Sequence, residues 1–158
     1  MLVMECRLKK NITYPNLPQR LLKTRESLIG HFRHILNHFG ITEQQWRILR
    51  TLDEYGQLEP REICDLCHFS SPSMAGMLAR IEELQLIMRG PIPGDRRRVT
   101  VSLSQKGVAL LSQIGPLIDL QYSYLEQACG KKILADLLTV LDEFIHLTQN
   151  TIQHVDLP

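Results

Sequence analysis

The chain has 158 residues, 44% of them hydrophobic and 22% charged, with a formal net charge of +1; this fits one globular domain and excludes a disordered, collagenous or membrane-embedded chain. No apolar run reaches the roughly 18 residues that a membrane-spanning helix requires. The opening Met1-Leu2-Val3-Met4-Glu5-Cys6-Arg7 lacks the basic-then-apolar order of a secretion signal, so a cytoplasmic location is expected.

Six helical segments and one hairpin are expected in chain order. Leu21, Leu22, Leu28, Ile29, Phe32, Ile35, Leu36 and Phe39 recur at three- and four-residue steps, which predicts a single amphipathic helix over 17–39, ended by Gly40. Arg25 interrupts its apolar stripe and needs either an ion-pair partner in the core or a pocket to face. Thr42-Glu43-Gln44-Gln45 reads as a capping box that starts a second helix. That helix runs to about Tyr55 with Ile48, Leu49 and Leu52 inward, carries Trp46 and Arg50 four residues apart on one flank, and stops at Gly56.

Pro60 suits the first turn of a short third helix with Ile63, Leu66 and Cys67 on its inner face. Ser70-Ser71-Pro72-Ser73 opens a fourth helix, reaching about Leu84, with Met74, Met77, Leu78, Ile81 and Leu84 inward. Its outer face combines Ser73, Gly76 and Arg80, two small residues and an arginine that can approach a surface closely while presenting charge. Gly90-Pro91-Ile92-Pro93-Gly94-Asp95 is turn-rich and Val99–Leu103 alternates apolar with polar, the pattern of a hairpin.

Charge concentrates there. Residues 71–106 hold six Lys/Arg against three Asp/Glu, and residues 107–158 hold two against six. Arg89 and Arg96-Arg97-Arg98 around Asp95 form the densest positive cluster, of the kind that seeks phosphate; a solvated loop would carry the same charges. Ser104 caps a long fifth helix with a stripe of Val108, Leu111, Gly115, Ile118, Tyr122, Leu125 and Cys129, a kink at Pro116 and an end at Gly130. A last helix carries Ile133, Leu134, Leu137, Leu138, Leu141, Phe144, Ile145 and Ile152.

Short helices followed by a hairpin with an arginine tip form the plan of a winged helix-turn-helix, whose second helix of the turn enters the major groove of DNA. The expected fold is therefore mainly α with a small β-hairpin wing. Residues 42–104 form the DNA-binding lobe of a single domain over 1–158, and the helices over 17–39 and 105–153 carry surplus apolar surface for homodimerisation. A two-fold dimer would set two reading helices about one DNA turn apart on a pseudo-palindromic operator.

Asp95-Arg96-Arg97-Arg98-Val99-Thr100-Val101-Ser102-Leu103-Ser104-Gln105-Lys106-Gly107 resembles the wing of the MarR family of bacterial transcriptional regulators, a likeness that extends over nearly all of residues 17–150. The resemblance implies that Asp95 braces the wing, that Arg97 enters the minor groove and that Arg98 supports either role. DNA contacts are then expected from Ser71, Ser73, Met74, Gly76 and Arg80 of the reading helix and Asp95, Arg96, Arg97 and Arg98 of the wing. Leu22-Lys23-Thr24-Arg25-Glu26, the block from Ile41 to Arg50 and the block from Pro72 to Arg80 are similar to the family's homoprotocatechuate-degradation regulators, which answer to hydroxyphenylacetate-type aromatic acids. Matching that subgroup's pocket are Arg25, Glu43, Trp46, Arg50 and Tyr122. A ring with a carboxylate wants an aromatic wall and a planar two-pronged donor, which Trp46 and Arg25 or Arg50 supply, while Tyr122 can meet a phenolic hydroxyl. The bland alternative places Trp46 in the core and pairs the arginines with Glu26 and Glu43. Two departures stand out: Ser71 occupies the place where the subgroup usually has Arg, and Tyr14-Pro15-Asn16-Leu17-Pro18 replaces small polar residues near the ligand.

Cys64-Asp65-Leu66-Cys67-His68 matches the pattern for covalent haem attachment, but that chemistry ordinarily belongs to exported proteins. The same two thiols suit an oxidant-sensing regulator as an alternative. No phosphate-binding glycine loop, nucleophile elbow or paired metal-ligand spacing is present, so no enzyme activity, metal or other cofactor is expected. A winged helix that binds proteins and not DNA is the remaining rival, because the fold alone does not decide between them.

Overall fold

In the computed structural model, which describes residues 12–92, 95–148 and 152–157, with side chains at all of these but 92 and 95–97, helix ends fall where capping chemistry puts them. The predicted helix over 17–39 is in fact two, α1 (Leu17–Gly30) and α2 (Arg33–His38). Past Gly30, a weak helix former, the amides of His31 and Phe32 donate to the carbonyls of Leu28 and Ile29, three residues back where an α-helix reaches four. Phe32 and the following Ile35 and Leu36 are buried. In α3 (Glu43–Tyr55) the capping box is formed: Gln45 N–H donates to Thr42 Oγ1 at 3.2 Å and Thr42 N–H to Gln45 Oε1 at 2.9 Å.

Helix α4 (Pro60–Cys67) buries Ile63, Cys64 and Cys67. Leu66, expected inside, is exposed and Cys64 takes its place, because the helix turns its 63–64–67 face to the core. His68 ends α4 in the left-handed region (φ 52°) and the chain turns into α5 (Ser71–Glu83). This pair is a helix-turn-helix. Met74, Leu78 and Ile81 pack inward from α5, whereas Leu84, also expected inside, lies at the C-cap and is exposed.

Strands β1 (Ile87–Ile92) and β2 (Asp95–Leu103) pair antiparallel, Ile87 opposite Leu103 and Gly90 opposite Thr100, with a register shift between Pro91 and Ile92. The alternation visible from Val99 onward marks only part of β2. Leu58 adds an antiparallel bridge, donating to and accepting from Val101 at 3.0 and 2.7 Å, and so ties the α3–α4 connection to the hairpin.

Helix α6 (Gln105–Cys129) runs through Pro116, and α7 (Lys131–Thr148) follows after Gly130. On α6 the buried face is Leu111, Ile114, Ile118 and Leu125; Val108 is exposed and Ile114 replaces it. One core joins these elements, from Leu36 of α2 through Ile48 and Leu52 of α3, Ile63 of α4, Leu78 of α5 and Val101 of β2 to Ile114 of α6. At the start of α6, a Cβ on Gly107 would lie 2.1 Å from the Leu86 carbonyl oxygen, so only glycine allows α6 to pass this close to the end of α5.

The architecture is a mainly α winged helix-turn-helix with a two-stranded wing. Large apolar side chains are left facing outward on three helices: Leu17, Leu21 and Leu22 of α1, Leu117, Leu120 and Tyr124 of α6, and Ile133, Leu138, Val140, Phe144, Ile145 and Leu147 of α7. Helix α7 buries none of its residues. Among the described residues no helix is long and apolar enough to cross a membrane.

Candidate functional site

Two surfaces carry the residues singled out from sequence. The first is the outer face of α5 with the wing beside it. Ser71, Ser73, Gly76 and Arg80 are all exposed on α5, and the last three share one side of the helix. The α5 face at Gly76 is open, because a Cβ there would meet nothing within 4 Å. Ser73 Oγ lies 3.0 Å from Ser70 Oγ, which holds the hydroxyl at the helix start. Met74 corrects the sequence-based set: it is 2% exposed and packed in the core, away from the exposed side of α5.

In the wing, Arg98 folds back onto the lobe, donating through Nε (3.2 Å) and Nη2 to the carboxylate of Glu59, which also caps α4. Arg89 donates from β1 to Glu82 of α5 at 2.9 Å. Two cations of the basic cluster therefore fasten the wing to helices α4 and α5. The side chains of Asp95, Arg96 and Arg97 lie outside the described residues.

The second surface is a cavity of about 390 Å³ between α1, its junction with α2 at Phe32, α3 and α6, within the usual range for small-molecule sites. Arg25, Glu43, Trp46, Arg50 and Tyr122, matched from three separate stretches of sequence, all line it. Leu28, Ile29, Phe32 and Ile118 supply its apolar wall. Trp46 is half-buried, and the Tyr122 ring leans on Phe32 with centroids 4.8 Å apart at 48°. Arg25 does not sit on a buried stripe as expected; its side chain is 44% exposed at the cavity mouth, because α1 buries no residue.

The charges around this cavity are not equivalent. Glu43, 19% exposed, accepts from both Arg25 and Arg47 at Oε1, the latter at 3.0 Å, with Arg33 4.0 Å from its second oxygen. Arg25 also pairs with Glu26 at 2.9 Å. The pairing of Arg25 with Glu26 and Glu43 foreseen as the bland alternative is thus present, yet it forms part of the cavity wall. Arg50 makes no side-chain hydrogen bond or ion pair among the described residues. A cavity that gathers Arg25, Arg47 and Arg50 against Glu43 and Glu54, with one guanidinium uncommitted, suits a small anion with an apolar body.

Sequence reasoning missed Arg47, Thr51 and Glu54 in this wall. Arg47 lies one turn from Glu43 and Glu54 one turn from Arg50 on α3, which was the available signal for these two. Arg47 additionally donates to the Cys67 carbonyl at 3.0 Å and lies 4.7 Å from the centroid of the Phe69 ring. Cys64 and Cys67 are buried as free thiols. Burial pushes the Cys67 thiol above its ordinary range, despite the opposing effects of a hydrogen bond from Thr51 and the charge of Arg47. That is the reverse of the lowered value an oxidant-sensing thiolate needs.

Comparisons with known proteins agree with this geometry. The MarR family model matches residues 41–99. The transcriptional regulator FarR of Neisseria gonorrhoeae is 38% identical over 124 residues, covering 77% of this chain and 85% of its own. The homoprotocatechuate degradative operon repressor of Escherichia coli is 31% identical over 85% of this chain and 90% of its own. The crystal structure of NadR in complex with 4-hydroxyphenylacetate superimposes with a TM-score of 0.78 at 32% identity, over 85% of this chain and 98% of that one.

Proposed function

Because this chain belongs to the MarR family of transcriptional regulators, we propose that it is a homodimeric repressor of aromatic-acid catabolism, released from its operator by an aromatic carboxylate of the hydroxyphenylacetate type. The carrying observation is the meeting of Trp46, Arg50 and Tyr122 in one cavity, with the Arg50 guanidinium uncommitted. In this reading Arg50 forks onto the carboxylate, Trp46 flanks the ring, Tyr122 meets a phenolic hydroxyl, and Arg25 and Glu43 close the mouth. The homoprotocatechuate repressor and the 4-hydroxyphenylacetate-bound NadR support the choice of ligand class.

Ser71, Ser73, Gly76 and Arg80 of α5 are assigned to the major groove, and Arg96 and Arg97 to the phosphates or minor groove beside the wing. Arg98 holds the wing in place through Glu59. Ligand occupancy sets the separation or tilt of the two reading helices away from successive grooves, for which a coupling of about 1–3 kcal/mol per site is enough.

Trp46 is the chain's one tryptophan, so its fluorescence reports the cavity directly. Titration with 4-hydroxyphenylacetate is expected to change that emission and to release the protein from DNA adjoining its own gene in a gel shift. Losing a charged hydrogen-bonding partner costs about 1.5–3 kcal/mol, so Arg50→Ala is expected to weaken the ligand by roughly 10- to 150-fold. Unaltered ligand affinity in Arg50→Ala would reject Arg50 as the clamp.

A further inference from the structure

Arg47 links the cavity to the turn that precedes α5. Arg47 leaves α3 at the cavity wall, donates to Glu43 Oε1 at 3.0 Å and to the Cys67 carbonyl at 3.0 Å, and rests 4.7 Å from the Phe69 ring centroid. Cys67 ends α4 and Phe69 lies in the turn that delivers α5. The same oxygen of Glu43 accepts from Arg25 of α1. A second, weaker link runs parallel, since Thr51, also in the cavity wall, lies with Oγ1 3.4 Å from Cys67 Sγ.

We propose that Arg47 is a positioning residue that carries effector occupancy from the cavity to the turn before α5. The inference rests on the effector reading above and adds its route. A carboxylate arriving among Arg25, Arg47 and Arg50 competes with Glu43 for the guanidinium groups. Arg25 is drawn to the ligand, and Glu43, now repelled by a second negative charge and released from one partner, redistributes its bonding to Arg47. The Arg47 fork cannot follow Glu43 without altering its bond to the Cys67 carbonyl and its stacking on Phe69. Both contacts fix how the left-handed turn at His68 aims α5. A guanidinium can hold an oxygen on each side and an aromatic face at once because it is planar and multiply donating, which a lysine ammonium is not.

The test measures operator affinity with and without saturating 4-hydroxyphenylacetate, so that the ratio reports coupling whatever the separate affinities become. If the wild-type ratio is about 30, Arg47→Gln is expected to bring it below about 5, and Arg47→Lys not to restore it. Phe69→Leu, outside the cavity, is expected to keep ligand affinity within about threefold by Trp46 fluorescence and still lose most of the ratio; it decides the matter if Arg47→Gln does not fold. A residue that only stabilised the fold would lower the melting temperature and leave the ratio intact, and that result overturns the proposal while the effector reading stands. Wild-type protein that shows no ratio at all overturns both.

Discussion

Cys67 shows how a single buried atom constrains chemistry. Desolvation raises its thiol above the ordinary value while Thr51 and Arg47 pull the other way, so the folded chain keeps the proton to higher pH than the unfolded chain does. Its contribution to stability is complete below the ordinary thiol value of about 8.5 and is lost as pH rises from there through the folded value. The stability advantage of the wild type over Cys67→Ala is therefore expected to narrow above about pH 8.5 in chemical denaturation. Native alkylation should mark exposed Cys129 well before Cys67. Rapid native labelling of Cys67 would contradict its burial. At this scale the sequence was partly transparent. Trp46 and Arg50 could be paired by their four-residue spacing, and Tyr122 by its polarity on an apolar stripe. Arg47's place in the wall could be read from its four-residue step from Glu43, but its reach to the turn could not, since Cys67 and Phe69 are about twenty positions away and a carbonyl oxygen leaves no trace in residue identity.

Element boundaries were legible where side chains cap the backbone. Thr42 with Gln45, Ser104 and Gly56 all act where their types suggested. Face assignments erred at helix edges: Leu66, Leu84 and Val108 are apolar yet outside, since a short helix shows the core only a narrow arc and hydrophobicity does not reveal its phase. The break after Gly30 was hidden because the apolar repeat continues across it, the chain tightening by one residue while keeping Phe32 and Ile35 inside. Gly107 makes the sharpest element-level prediction. A methyl placed 2.1 Å from the Leu86 oxygen forces α6 off α5, and Gly107→Ala is expected to destabilise by about 2 kcal/mol, lowering the melting temperature by about 4–8 °C. Gly76→Ala, with open space around it, is expected to stabilise by up to about 1 kcal/mol in the same melting experiment.

For the whole molecule, the outward apolar residues of α1, α6 and α7 are the dominant feature. Leu138, Phe144 and Leu147 are 64%, 46% and 65% exposed, and patches of this extent on soluble chains mark association surfaces. With the dimer proposed above, sedimentation should give twice the mass of 18.2 kDa, and Leu138→Glu with Phe144→Glu should shift the population to monomer and abolish high-affinity operator binding. A stable monomer of wild-type protein at micromolar concentration would remove the two-fold reading of DNA. The surplus helices were visible from sequence as apolar repeats too long for the lobe. Which of their faces meet was not, because helical periodicity identifies a stripe and not its partner.

The seam between α5 and α6 bears on how such a molecule moves. Ser104 Oγ donates to the Gln85 carbonyl at 2.6 Å, Ser104 N–H to Leu86 at 3.0 Å and Lys106 Nζ to Leu84 at 2.9 Å, so the exit of the reading helix is welded to the root of a 25-residue rod. At 1.5 Å per residue that rod is about 37 Å long. Pivoting by about 5° at its distal tip sweeps the welded end through about 3 Å, comparable to the rise of one base pair. In the proposed repressor, a ligand wedged along the rod would thus need only a slight lean to spoil the fit on DNA.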